Sequence, residues 1–111
     1  MSTNLTTNPR LHERAAVVLA ADVVSERVAP GESFASAEEI VERFGVSRTV
    51  ARETIQTLSM LGLIRVQHGK RNEVLPPEEW NVLTPVLQEV LRREHRLEPI
   101  LAAEASGVPG V

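Results

Sequence analysis

Residues 36 to 62 read SAEEIVERFGVSRTVARETIQTLSMLG, and the fold turns on this stretch. Ser36 and Glu39 have capping-box spacing, in which the hydroxyl and the carboxylate each satisfy an orphan amide at a helix start. A helix is predicted over Ala37 to Phe44, and Gly45 supplies its left-handed C-terminal cap. Two residues later Ser47 can cap a further helix that runs to about Leu61 and closes at Gly62. Two helices around a short Gly-containing turn make a helix-turn-helix.

The second helix of this motif has two faces. On a helical wheel Val50, Ile55, Leu58 and Leu61 share one arc with Ala51 and Thr54. Arg48, Thr49, Arg52, Gln56 and Ser59 share the other. Arginine pairs bidentately with guanine edges, and Thr or Gln can bond bases or phosphates. In an isolated helix such an arc is only a solvated face. As the second helix of the motif it reads as a recognition surface.

Outward from the motif, Leu63 to Val66 and Glu73 to Leu75 read as two short strands around the basic tip His68-Gly69-Lys70-Arg71-Asn72. Pro76-Pro77 ends this hairpin. Upstream, a first helix is expected from about Leu11 to Val28, with Val17, Ala21, Val24 and Val28 as its buried stripe and Ala29-Pro30-Gly31 as its stop. Downstream, a last helix begins near Thr84 with Pro85 in its first turn and runs until Pro99. Its stripe of Leu83, Leu87, Val90 and Leu91, with Trp80 upstream, is expected to lack an internal partner. The fold class is therefore mainly α, a winged helix-turn-helix of three helices and a two-stranded hairpin wing, with one further C-terminal helix. Residues 1–9 are expected to be a disordered arm, 10–77 the winged-helix domain, and 78–111 a linker and the remnant helix of a second domain.

Composition narrows the function classes. The 111 residues suit one hydrophobic core, built mainly from aliphatic side chains because Phe34, Phe44 and Trp80 are the only aromatics. Cysteine is absent, which removes disulfides and thiolate chemistry. The longest apolar run, Ala15 to Ala21, is too short to span a bilayer, and no signal segment opens the chain, so a cytoplasmic protein without membrane partners is expected. The formal net charge is −3, yet Arg43, Arg48, Arg52, Arg65, Lys70 and Arg71 crowd into residues 43–71 against the single acid Glu53. A basic patch on an acidic body suits a protein that touches a polyanion with one face. His12, His68 and His95 lack metal-ligand spacing, and His12 and His95 read as solvated helix residues. No phosphate loop is visible, and neither Ser47 nor Ser59 has a His and an acid beside it, so no enzyme is expected.

With these elements placed, the sequence resembles the GntR family of bacterial transcription regulators, in its FadR-like branch. The residues that carry the resemblance are Pro30-Gly31, then Phe44-Gly45-Val46-Ser47-Arg48-Thr49-Val50-Ala51-Arg52-Glu53. Leu58, Leu61-Gly62-Leu63-Ile64, Gln67-His68-Gly69-Lys70 and Trp80-Asn81-Val82-Leu83 continue it. The chain departs from the family pattern at Phe34-Ala35-Ser36-Ala37, where Leu-Pro-Ser-Glu is usual. A position of the preceding helix that often helps read DNA falls on Glu38, which phosphate would repel, so Glu38 is left out of the expected site.

The resemblance implies a DNA-binding transcriptional regulator, most often a repressor, that reads a palindromic operator as a homodimer. Arg48 and Arg52 are expected on base edges, with Gln56 beside them. Arg43, Ser47 and Thr49 are expected on phosphates. His68, Gly69 and Lys70 are expected in an adjacent minor groove, with Lys70 and Arg71 supplying sequence-independent attraction. The unpartnered last stripe is the expected dimer contact. No cofactor, metal or small-molecule effector is expected, because one helix past Trp80 cannot enclose a ligand. Two other readings fit less of the chain: a winged helix used for protein–protein contact, and a truncated regulator that binds DNA weakly and without specificity.

Overall fold

A computed structural model describes residues 9–67, 71–97 and 99–101. Its element order is α1 (Pro9–Val24), α2 (Ala37–Phe44), α3 (Arg48–Met60), β1 (Ile64–Arg65), β2 (Glu73–Val74), a 3-10 turn (Pro77–Glu79) and α4 (Pro85–Arg93). The helix-turn-helix and the hairpin stand where the sequence puts them. The expected arm is only partly visible, since helix already begins at Pro9 and residues 1–8 lie outside the described chain.

Helix α1 is the centre of the molecule and packs on both α3 and α4. Its buried face is Ala15, Ala16, Leu19, Ala20, Val23 and Val24, wider than the single stripe expected, because two helices share it. Val17, Ala21 and Val28 pack against the core while only partly buried. The helix also ends four residues before the expected Val28. Glu26 takes a left-handed backbone (φ 66°), its N–H donates to the Val23 carbonyl, and the Arg27 N–H donates to that of Asp22. This is a glycine-type stop built on a glutamate, so no glycine marks it in the sequence.

Helix α3 ends on the same motif with its usual residue. Gly62 (φ 78°) lets the Leu63 amide bond back to the Leu58 carbonyl. A second constraint acts there: a Cβ on Gly62 would lie 2.1 Å from the Glu79 carbonyl oxygen, so the 3-10 turn closes onto this glycine. The Asn81 N–H then donates to the Leu61 carbonyl (2.8 Å), tying the outgoing chain to the end of α3.

The wing pairs Ile64 with Val74 and Arg65 with Glu73 in antiparallel register. Its other edge is covered by residues 31–34, through a bridge between Ser33 and Glu73 and a bond from the Phe34 amide to the Asn72 carbonyl. Asn72 is buried, and its side-chain amide donates to the Ala35 carbonyl (3.0 Å). That bond helps hold Ala35 at φ 59°, where the family's usual proline could not sit.

Helix α4 corrects the sequence reading most. Leu87, Val90 and Leu91 are essentially inaccessible and join α1, α3 and Trp80 in one core. Of the expected dimer stripe only Leu83 (77% exposed) remains at the surface. The helix stops before Pro99: His95 adopts φ 59° and the Arg96 amide bonds to the Leu91 carbonyl. Helix then resumes near Leu97 with Pro99 inside it, a first-turn position where proline is tolerated. His95 is exposed as expected, but His12 is not simply solvated. It lies on α1 facing α3, with Nδ1 buried, 3.5 Å from Glu53 Oε1.

Candidate nucleic-acid interface

The surface of interest is built by the starts of α2 and α3. Ser36 Oγ accepts from the Glu39 amide while Glu39 Oε1 accepts from the Ser36 amide, the reciprocal cap anticipated from spacing. Gly45 reverses the chain at φ 65°, and Ser47 Oγ accepts from the Val50 amide (3.1 Å) to open α3. The Ser47 hydroxyl is thus used as a cap, which leaves its proton free to donate outward.

Burial divides α3 as its two arcs predict. Val50, Ala51, Thr54, Leu58 and Leu61 are buried, and the Thr54 hydroxyl is satisfied by the Val50 carbonyl. Arg48, Thr49, Arg52, Gln56 and Ser59 are exposed. Four of the expected site residues, Arg48, Thr49, Arg52 and Gln56, therefore share one solvent face of a rigid helix. Arg43 lies on α2, exposed, with its guanidinium carbon 5.1 Å from the Phe44 ring centre. Arg71 lies in the hairpin loop, two residues before β2, and is exposed. His68, Gly69 and Lys70 lie outside the described residues.

The basic cluster is less naked in space than along the chain. Arg48 Nη1 bonds Glu38 Oε2 at 3.1 Å, and Arg71 Nη2 bonds Glu39 Oε2 at 3.0 Å. Arg43 meets Asp22 at 3.3 Å and Arg65 meets Glu73 at 3.5 Å. All four acids lie outside residues 43–71, where a charge count over that stretch cannot register them. Among the described residues Arg52 has no ion-pair partner. Exposed pairs of this kind contribute little to stability, so a phosphate can replace the carboxylate at little cost.

Glu39 has two jobs. One oxygen caps α2 and the other holds Arg71, fastening the wing to the helix-turn-helix. Its carboxyl lies below the ordinary glutamate range, first because of the Ser36 amide and then, against a desolvation cost, because of Arg71. Glu38 is lowered as well, by its own backbone amide and then by Arg48, with a smaller contribution from Arg52. Glu38, left out on the sequence alone, is thereby brought into the site. The resemblance points to this position, and the adjacency of the two helix starts supplies its partner, Arg48.

The arrangement is an exposed helix carrying donors, flanked by a hairpin. Among the described residues no group of His, Cys, Asp and Glu could hold a metal ion, and no helix is long and apolar enough to cross a membrane.

Comparison with known proteins agrees with this geometry. The galactonate operon transcriptional repressor of Escherichia coli K12 is 31% identical over 97 residues, which are 86% of this chain and 42% of that protein. An uncharacterised HTH-type transcriptional regulator of Mycobacterium tuberculosis is 33% identical over 85 residues, 77% of this chain and 34% of the other. The chain thus spans well under half the length of these curated relatives. The structure of Streptococcus agalactiae BusR in complex with its busAB-promotor DNA shares the fold, with a TM-score of 0.55 over 86% of this chain and 53% of that one at 19% identity. The model of the bacterial regulatory proteins of the gntR family matches residues 11–74, the whole span from α1 through the wing. The chain belongs to the gntR family of bacterial regulatory proteins, and its winged helix is that family's DNA-binding domain, a transcription-regulatory module and not an enzyme.

Proposed function

We infer that this chain reads specific operator DNA through the exposed face of α3, docked in a major groove. The observation that carries the reading is the division of α3: every apolar side chain of one arc faces the core, while Arg48, Thr49, Arg52 and Gln56 stand together in solvent. Arg48 and Arg52 address base edges, with Gln56 beside them. Thr49, Ser47 and Arg43 hold the phosphates. His68, Gly69, Lys70 and Arg71 carry the wing toward the neighbouring minor groove.

One recognition helix covers few base pairs, so two copies on a two-fold symmetric operator make the functional unit. Repression is the outcome we assign, in line with the galactonate operon repressor among the relatives. The protein works in the cytoplasm. Residues 10–77 form the reader, and α4 braces it by packing on α1. The region in hand requires no cofactor or small-molecule effector for DNA binding.

The test is selection of bound sequences from a random double-stranded library, followed by salt titration on the selected and on random DNA. The reading expects a symmetric consensus and tighter binding to it than to random DNA at every salt concentration. Failure to enrich any sequence, with affinity governed by salt alone, would overturn it.

A further inference from the structure

An acid on a surface that meets DNA needs a reason to be there. Glu38 sits in the first turn of α2, bonded at 3.1 Å to Arg48, the first residue of α3. Both side chains are more than half exposed, and the bond joins two helices whose relative position is set by the turn at Gly45. Where Arg48 goes, Glu38 is close behind.

The chemistry of the groove then limits what Glu38 can meet. An ionised carboxylate only accepts hydrogen bonds. Phosphates offer it no donor. Among the major-groove base edges, donors are confined to the N4 amino group of cytosine and the N6 amino group of adenine. A guanidinium beside it seeks acceptors, and guanine O6 and N7 are the pair that takes both of its N–H groups. One G·C pair presents these acceptors and the cytosine amino group side by side. An A·T pair offers the guanidinium only single acceptors.

We propose that Glu38 and Arg48 act as one unit in operator reading, Arg48 donating to guanine while Glu38 accepts from the cytosine N4 amino group of the same or adjacent base pair. The inference rests on the DNA-binding reading above and adds a specificity-determining residue to it. Two consequences follow. Glu38 selects cytosine at one position of each half-site. It also weakens every docking in which the unit faces phosphate, so it widens the gap between operator and random DNA.

The experiment compares sequences selected by the 111-residue chain with those selected by Glu38→Gln, Glu38→Ala and Arg48→Ala, and measures affinity for operator and random DNA. Exposure of Glu38 makes a folding failure easy to exclude by circular dichroism. The expected result is that Arg48→Ala loses a guanine preference and Glu38→Ala loses cytosine at that base pair or its neighbour. Glu38→Gln is expected to move the preference toward adenine, whose N6 and N7 suit an amide. Both Glu38 variants should bind random DNA more tightly and lower the operator-to-random ratio about tenfold. Unchanged sequence profiles overturn the proposal, and so does a fall in the ratio with no change in profile, which would make Glu38 a simple repulsive charge. If the parent chain enriches no sequence at all, the DNA-binding reading itself fails, a result distinct from these.

Discussion

Helices α3 and α4 look alike as sequence, since each carries an apolar stripe at helical spacing opposite a polar face. In the fold they share a partner: both lay that stripe on α1. The difference lies in what their outer faces keep. Helix α3 leaves arginines, Thr49 and Gln56 in solvent, whereas the outer face of α4 pairs Arg92 and Arg93 with Glu89 on the same helix. An apolar stripe announces that a face will be covered, but not by what. It is the unspent polar face that carries information about an external partner.

Substitutions can sharpen this contrast. The largest effect is expected at Gly62, the joint between α3 and the chain leading to α4. Gly62→Ala meets a left-handed backbone, costing ~1–2 kcal/mol, together with the Glu79 carbonyl in the space its methyl group needs. A total loss above ~3 kcal/mol, read by urea unfolding, is expected. Next comes the stripe of α4. Leu91→Ala should cost ~2–5 kcal/mol as a core cavity, while Leu83→Ala should stay within ~0.5 kcal/mol. Equal, small effects at both positions would mean that α4 is not part of the core.

A smaller effect is expected from Glu39, which joins the wing to α2. Its folded carboxyl is shifted down, so its contribution is present above the unfolded value and is lost as pH falls through the folded one. Unfolding measured from pH 6 to pH 3 should show parent stability falling, with a shallower fall in Glu39→Gln. Identical slopes would remove both the helix cap and the wing clasp of Glu39 from the account.

Much of this was legible in the chain. The capping box, Gly45, Ser47 and Gly62 bounded α2 and α3 because each carries a local signal that needs no knowledge of the fold. The two arcs of α3 followed from periodicity. What stayed hidden depends on contacts that no residue type announces. Glu26 and His95 end helices in a conformation normally given to glycine, and the bonds that support them, such as Arg27 to Asp22 and Arg96 to Leu91, appear only once the chain is folded. The acids that answer Arg43, Arg48 and Arg71 lie 21, 10 and 32 residues away, so local charge counting overstated the cationic face. The covering of α4 has no local signal either, because it depends on α1 having room for two partners.

The central claim is that the exposed arc of α3 reads DNA, and Arg52 tests it most directly, since, unlike Arg48, it makes no ion pair among the described residues. Equilibrium binding of parent and Arg52→Ala to a selected operator and to random DNA is the measurement. The account predicts a loss of ~1–3 kcal/mol on the operator, with a much smaller loss on random DNA. Equal affinity of the two proteins for the operator would contradict it.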